Sequence, residues 1–145
     1  MIQLNNFIYE KLKLNKDINI GVLNNIDIKQ LKYFTPKDIN KIINWINNDM
    51  SEDIRPVVIT NNRNCEYDEP SLHLFLFFTE DYNKQGPYEI PYIRFWYDDE
   101  GLSIDIYDNK DTKYYRSAKY KDSKDLDKCF DYIEKQRNII KNIIK

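Results

Sequence analysis

Two kinds of spacing between apolar residues divide this chain into helical and extended regions. From residue 35 onward, apolar residues recur every three or four positions, an interval that places their side chains on one face of an α-helix. These residues are Ile39, Ile42, Ile43 and Ile46. Thr35 followed by Pro36 predicts where this helix begins, because a threonine hydroxyl caps free N–H groups and proline fits the first helical turn. The polar residues 47–49 predict its end.

The C-terminal part of the chain repeats the helical spacing. We expect one long helix that begins at Asp122 or Ser123 and carries one apolar face. The residues of that face are Leu126, Phe130, Ile133, Ile140 and Ile144. A third helix is expected near the N-terminus. Its apolar residues are Leu4, Phe7, Ile8 and Leu12. Residues 15–34 follow neither period clearly, so the pattern predicts no element there.

Between residues 56 and 121 the period changes to two, as extended strands require. The segments that show this period are 56–60, 72–78, 90–98, 102–108 and 113–120. Segment 72–78 is apolar everywhere except at His73, which indicates a strand that is covered on both faces and central in its sheet. The tight turns between the last segments are typical of a meander of antiparallel strands.

Together these elements predict an α+β fold. We expect a four- or five-stranded antiparallel β-meander, with N-terminal helices and a long C-terminal helix packed mainly on one face. A length of 145 residues fits a single domain, so 1–145 is predicted to be one α+β domain. The hydrophobic fraction of 41% and the charged fraction of 32% are typical of a globular protein, not a disordered one.

The chain has no apolar run of the length that a bilayer requires, roughly 18 residues, and no secretory leader pattern. We therefore expect a cytoplasmic protein that does not associate with membranes. Its two cysteines, Cys65 and Cys129, are too few for a disulfide-stapled secreted domain. Both are interpreted as structural thiols.

The residue types that enzymes need are scarce in this chain. His73 is the one histidine, which excludes two-histidine metal sites, and three glycines leave no phosphate-binding loop. Cys65 lies close to Glu66, Asp68 and Glu69, whose negative charge disfavours a reactive thiolate. No catalytic residue, metal ligand or cofactor is therefore predicted, and the protein is expected not to be an enzyme.

An acidic stretch, Asp98-Asp99-Glu100-Gly101, separates two of the alternating segments and predicts a hairpin turn. Gly101 can supply the left-handed backbone conformation that a short loop with a bulge needs. On the strand that follows, Leu102, Ile104 and Ile106 are expected to face the core. The alternate residues Ser103, Asp105 and Tyr107 are expected to face water.

Charge is unevenly distributed, and this asymmetry leads to a functional hypothesis. Residues 51–110 carry 13 acidic and 5 basic groups, whereas residues 111–145 carry 6 acidic and 10 basic groups. The acidic part suits a partner with a basic surface, and exposed tyrosines are common interface anchors. The predicted partner-binding residues are Tyr97, Asp98, Asp99, Glu100, Asp105 and Tyr107.

The function predicted from these features is that of a non-enzymatic protein-binding module, such as a small inhibitor or an immunity or anti-defence protein. Asn, Ile and Lys, whose codons are AT-rich, are abundant here, and this composition fits a phage or mobile element of an AT-rich host. The chain is expected to be a monomer or a homodimer.

Two alternative functions remain open. Segment 113–121 interleaves basic and aromatic residues, which is typical of a strand that binds single-stranded nucleic acid. Its candidate residues are Lys113, Tyr115, Arg116 and Lys119. The same lysines also fit an edge strand that is protected against pairing. Asp108 and Lys110 imitate part of a metal-dependent nuclease motif, in which carboxylates hold Mg²⁺ and a lysine assists a water molecule.

Overall fold

The structure, a computed structural model, describes residues 19–22, 34–61, 73–80, 90–108, 115–121 and 125–144. Its strands are β1 (Asn19–Val22), β2 (Val58–Thr60), β3 (His73–Phe77), β4 (Tyr92–Asp98), β5 (Gly101–Tyr107) and β6 (Tyr115–Lys121). Its α-helices are α1 (Pro36–Asn48), α2 (Leu126–Lys135) and α3 (Arg137–Ile143), and a 3₁₀ helix spans Glu52–Ile54. The helix predicted around residues 4–12 lies outside the described residues.

The strands form one sheet in the order in which they occur along the chain, from β1 to β6. Strands β2 to β6 are antiparallel neighbours, so the predicted α+β fold with a five-stranded antiparallel meander is confirmed. Strand β1 pairs with β2 in parallel and lies in the segment for which the pattern predicts no element. As predicted, β3 is central, and all five of its side chains are buried.

Helix α1 begins where the sequence predicts. The Thr35 hydroxyl accepts a hydrogen bond from the Asp38 backbone N–H at 3.2 Å, and the Asp38 carboxylate accepts one from the Thr35 N–H at 3.0 Å. This reciprocal arrangement satisfies two N–H groups that the first helical turn leaves without carbonyl partners. Pro36 occupies the first helical turn, where its missing N–H does no harm.

The predicted C-terminal helix is present but divided in two, because the chain leaves the helix at Gln136 (φ −94°, ψ 10°) between α2 and α3. Glu134, before the break, accepts hydrogen bonds from the Ser51 N–H at 2.8 Å and the Ser51 hydroxyl at 2.7 Å. The Arg137 guanidinium, after the break, binds Asp53 at 2.7 Å and holds the pKa of that carboxyl below its usual value. The two anchors tie both helices to residues 51–54.

The beginning of α2 also differs from the expectation. Its N-cap is Asp125, whose carboxylate accepts a hydrogen bond from the Asp127 N–H at 3.1 Å. The residues expected in this role, Asp122 and Ser123, lie outside the described residues. An aspartate fits the position because its carboxylate also interacts favourably with the positive end of the helix dipole.

The helices pack on one face of the sheet, here called the helix face, which carries Leu74, Leu76, Ile93, Phe95, Leu102, Ile104 and Ile106. Trp45 of α1 stacks on Phe130 of α2 with ring centroids 4.3 Å apart, so the two helices share one core. Cys129 is fully buried in this core, and burial raises the pKa of its thiol to about 12. Its thiol is therefore protonated and structural, as predicted. No helix in the described part of the chain is long and apolar enough to cross a membrane.

We predict that Thr35→Ala lowers the free energy of unfolding by about 1 kcal/mol, because the N-terminal N–H groups of α1 lose their side-chain acceptor. Urea denaturation monitored by circular dichroism measures this change. Lys37→Ala, an exposed change in the same helical turn, is the control and should shift stability by less than about 0.5 kcal/mol. Equal unfolding midpoints for the two variants would contradict the capping role.

Candidate functional site

The sheet face opposite the helices, here called the second face, carries three rows of side chains that run across the strands. The strand register defines each row. The first row is His73, Trp96, Ser103 and Lys119. The second row is Thr60, Phe75, Arg94, Asp105 and Ser117. The third row is Val58, Phe77, Tyr92, Tyr107 and Tyr115. The structure describes the backbone of Tyr115 but not its side chain. The second face therefore grades from apolar at the third row to polar at the first.

The apolar end of the second face is a buried aromatic cluster. It consists of Val58, Phe75, Phe77 and Tyr92. Tyr107 stacks on Tyr92 with ring centroids 5.0 Å apart, so its side chain is half-buried. The prediction that Tyr107 faces water is wrong, because its ring packs on this cluster.

Asp105 is the main correction to the predicted site. It is only 3% exposed, although it was expected to face water. Its Oδ2 atom accepts hydrogen bonds from Arg94 Nε at 2.9 Å and Trp96 Nε1 at 2.9 Å, and Arg94 Nη2 also donates to it. A buried carboxylate requires such partners, because an unpaired charge inside a protein is costly. Asp105 is therefore part of an internal ion pair and is not a free acid for a partner.

Trp96 lies at the centre of the polar end of the second face. The His73 ring stacks on it at 5.4 Å, and Lys119 Nζ lies 5.0 Å from the centroid of the Trp96 ring. Ser103, the neighbour of Trp96 on β5, is 3% exposed and was also expected to face water. Its hydroxyl has no hydrogen-bond partner within the described structure. The prediction that Ser103 faces water is wrong, because the second face of β5 is buried at Ser103 and at Asp105.

The turn between β4 and β5 is the exposed part of the predicted site. Asp98 pairs with Gly101, so Asp99 and Glu100 form a two-residue turn without a bulge, and both are exposed. Gly101 has φ 138°, a conformation that favours glycine. Glu100 Oε2 lies 3.3 Å from Lys119 Nζ on β6. The acidic turn and the basic strand therefore form one surface.

The last member of the predicted acidic site, Tyr97, lies on the helix face. It is half-buried against the main core, with its ring 6.2 Å from that of Phe34. Tyr97 and Tyr107 are therefore on opposite faces of the sheet, and only the backbone of Asp98 is described. Of the predicted acidic set, the structure brings Asp99 and Glu100 together at the surface.

Strand β6 is the outermost strand on one side of the described sheet. Its exposed residues are Arg116, Ser117, Lys119 and Lys121. Ala118 and Tyr120 pack on the helix face, where the Tyr120 hydroxyl donates a hydrogen bond to the Lys128 carbonyl at 3.2 Å. Of the predicted nucleic-acid residues, Arg116 and Lys119 are exposed, and Lys113 lies outside the described residues. They lie on opposite sides of the strand, so no single flat basic face results.

Of the two residues predicted for a metal-dependent nuclease, the structure describes one. Asp108 is 4% exposed, and Lys110 lies outside the described residues. Among the side chains that the structure describes, no group of three His, Cys, Asp or Glu residues could hold a metal ion.

A cleft between α1 and α2, with a volume of about 560 Å³, is a feature that the sequence did not predict. Lys37, Lys41 and Asp127 line its polar side, and Trp45 and Phe130 form its apolar floor. Lys41 Nζ lies 3.5 Å from the Asp127 carboxylate, so an ion pair spans the cleft. Trp45 and Phe130 are only 9% and 5% exposed, which leaves little apolar surface for a ligand.

The alternation of polar and apolar residues does not predict the Arg94–Asp105 ion pair, but the register of the β4–β5 hairpin does. Once Asp98 pairs with Gly101, counting back along β4 and forward along β5 places Arg94 directly opposite Asp105. Opposite charges at directly paired positions attract each other across a sheet. The hairpin register therefore predicts this ion pair, and alternation alone does not.

Comparison with known proteins does not assign this chain to a family. No protein-family model, no curated protein and no solved structure matches the chain. Any function must therefore be inferred from the residues themselves.

We predict that Asp105→Leu lowers the free energy of unfolding by about 3 kcal/mol, because it removes the carboxylate that pairs with the largely buried Arg94 guanidinium. The double variant with Arg94→Met should lose at least about 1 kcal/mol less unfolding free energy than the two single variants lose in sum. Chemical denaturation of the four proteins of this cycle measures the coupling. The exposed pair Asp53–Arg137 is the control, and its coupling should stay below about 1 kcal/mol. Additive effects at residues 94 and 105 would refute the ion pair.

Proposed function

We propose that this protein is a non-enzymatic protein-binding module, and that its partner binds at the corner formed by the β4–β5 turn and β6. This surface, here called the turn–β6 corner, consists of Asp99, Glu100, Lys119 and Lys121. The observation that carries the proposal is that these charged side chains are exposed and lie at the same end of the sheet, on a hairpin and a strand whose backbones are fixed by continuous pairing. Binding residues are commonly held in this way, on turns positioned by a rigid scaffold.

The acidic turn supports a partner with a basic surface. Asp99 and Glu100 lie at the end of the hairpin, and the Glu100 side chain is 68% exposed although it pairs with Lys119. Exposed charges of this kind mainly steer the encounter between two proteins and so increase the association rate. A small inhibitor or an immunity or anti-defence protein of a phage or mobile element, acting in the cytoplasm, is the biological class that we propose.

The interior chemistry also favours binding over catalysis. Asp105 is held by Arg94 and Trp96, so its carboxylate is engaged in structural hydrogen bonds. Burial keeps Cys129 protonated. A catalytic acid, base or nucleophile must reach a substrate, and neither of these groups is accessible.

We predict that Asp99→Asn combined with Glu100→Gln slows association with the captured partner by about three- to tenfold at low ionic strength and flattens its salt dependence. The partner is first captured from a native lysate on the immobilised wild-type protein and identified by mass spectrometry. Association rates of the purified partner are then measured by surface plasmon resonance over a range of salt concentrations.

The control for this experiment is Glu52→Gln combined with Asp49→Asn, which removes two exposed acids outside the turn–β6 corner. It changes the net charge by the same amount. If both double variants slow association equally, the effect comes from net charge and the proposed surface is wrong. An unchanged association rate for the turn variant at low salt would also refute it.

We predict that the purified protein does not cleave DNA or RNA when it is incubated with Mg²⁺ or Mn²⁺. Gel electrophoresis of single- and double-stranded substrates tests this expectation. Asp108→Ala and Lys110→Ala are the diagnostic variants, and a contaminating nuclease would be unaffected by either. Cleavage by the wild-type protein that disappears in both folded variants would overturn the proposal that the protein is not an enzyme.

A further inference from the structure

We infer that β6 accepts an extended, acidic segment of the partner protein as an additional antiparallel or parallel strand. This inference rests on the proposed function, since it describes how a protein partner would bind the turn–β6 corner. It adds to that proposal how the partner would bind, which is by main-chain pairing. It also adds the chemical class of the bound segment, which is an acidic strand.

The two edges of the described sheet differ in regularity. Strand β6 pairs with β5 at all seven residues without a register shift, from Tyr115 to Lys121. Strand β1, at the other edge, has four residues and an irregular register between Asn19 and Val22. A long, regular edge presents an ordered row of N–H and C=O groups, which is the template that strand addition requires, whereas a short irregular edge is a poor one.

The charges of β6 specify an acidic occupant. Arg116 projects on the helix face, and Lys119 and Lys121 project on the second face, so positive charge flanks the edge on both sides. Within the described structure, neither Arg116 nor Lys121 forms an ion pair. Glutamate or aspartate on an added strand would lie next to these side chains, and directly opposed charges on neighbouring strands attract each other.

The same charges disfavour the other occupants of this edge. A second copy of β6 would bring additional lysine and arginine next to Arg116, Lys119 and Lys121, and like charges on adjacent strands repel. A nucleic acid would place phosphates near Asp99 and also near Asp131, on the helix that Tyr120 contacts. A nucleic acid also lacks the peptide N–H and C=O groups that a strand edge pairs with.

The test uses synthetic peptides of about eight residues, the length needed to cover β6. Glutamate alternates with threonine in the acidic peptide, and lysine replaces glutamate in its basic twin. We expect the full-length protein to bind the acidic peptide at least about tenfold more tightly than the basic twin at low salt, as two or more cross-strand ion pairs would give. Fluorescence anisotropy measures affinity. Amide hydrogen exchange measured by NMR should slow at residues 115–121 when the acidic peptide is bound.

Two controls separate strand pairing from simple charge attraction. An acidic peptide methylated on two adjacent central amides, one for each edge of an extended strand, keeps its charge but cannot pair, and its affinity should fall to that of the basic twin. Arg116→Glu combined with Lys121→Glu should abolish the preference for the acidic peptide. Lys37→Glu, an exposed change on α1, should leave it intact.

Equal binding of the methylated and unmethylated acidic peptides would overturn the inference, as would unchanged hydrogen exchange in β6 on binding. Nucleic-acid binding would replace strand addition as the function of β6 under two conditions. A single-stranded oligothymidine would bind more tightly than the acidic peptide, and the Arg116→Glu, Lys121→Glu variant would not bind it. A concentration-dependent dimer, detected by sedimentation and lost in that same variant, would identify a second copy as the occupant. These peptide results are independent of the captured partner's kinetics with the turn variant, so a failure here is distinguishable from a failure of the proposed function.

Discussion

The burial of both faces of β3 is the constraint on which the rest of this structure depends. A strand whose alternate side chains are all buried needs cover on each face of its sheet. The described helices cover only the helix face, with Phe95 and Ile104 in the same core. The second face is nevertheless buried at its centre, where Phe75 and Asp105 lie, so a charged side chain there cannot rely on water and needs a partner within the protein. Arg94 and Asp105 are the result: the two charges lie opposite each other and satisfy each other.

This constraint also determines which charges are available to a partner. Asp105 and Arg94 are used inside the protein, whereas Asp99, Glu100, Arg116 and the lysines of β6 lie at the perimeter of the sheet, where water reaches them. The acidic segment of the sequence is thus not a uniformly acidic surface. Its exposed acids at the turn lie next to basic side chains, and the Lys119–Glu100 pair joins the two groups. A surface of mixed charge selects partners by pattern, since each misplaced charge on a wrong partner is repelled.

The sequence predicts the positions of helices and strands better than it predicts the burial and the long-range contacts of their residues. Thr35, Pro36 and the isoleucine spacing locate α1, because capping and amphipathic periodicity are local properties. The residues on either side of the break at Gln136 bind Ser51 and Asp53, which are more than eighty residues away, and local spacing contains no information about such contacts. The burial of Asp105 was missed for a related reason. Alternation separates the two faces of a strand but does not say whether the second face meets water, so the polar face was assigned to solvent.

Lys119 shows how the interior and the turn–β6 corner are connected. Its ammonium group lies over the Trp96 ring and beside the Glu100 carboxylate, so this residue of the edge strand contacts both the second face and the acidic turn. Trp96 in turn donates to Asp105, which Arg94 holds in place. These contacts restrict the rotamers of a lysine that would otherwise be mobile, and a restricted side chain loses less entropy when a partner binds. In the binding mode that we propose, the Arg94–Asp105 pair would act indirectly, by ordering the exposed edge against which a partner strand lies.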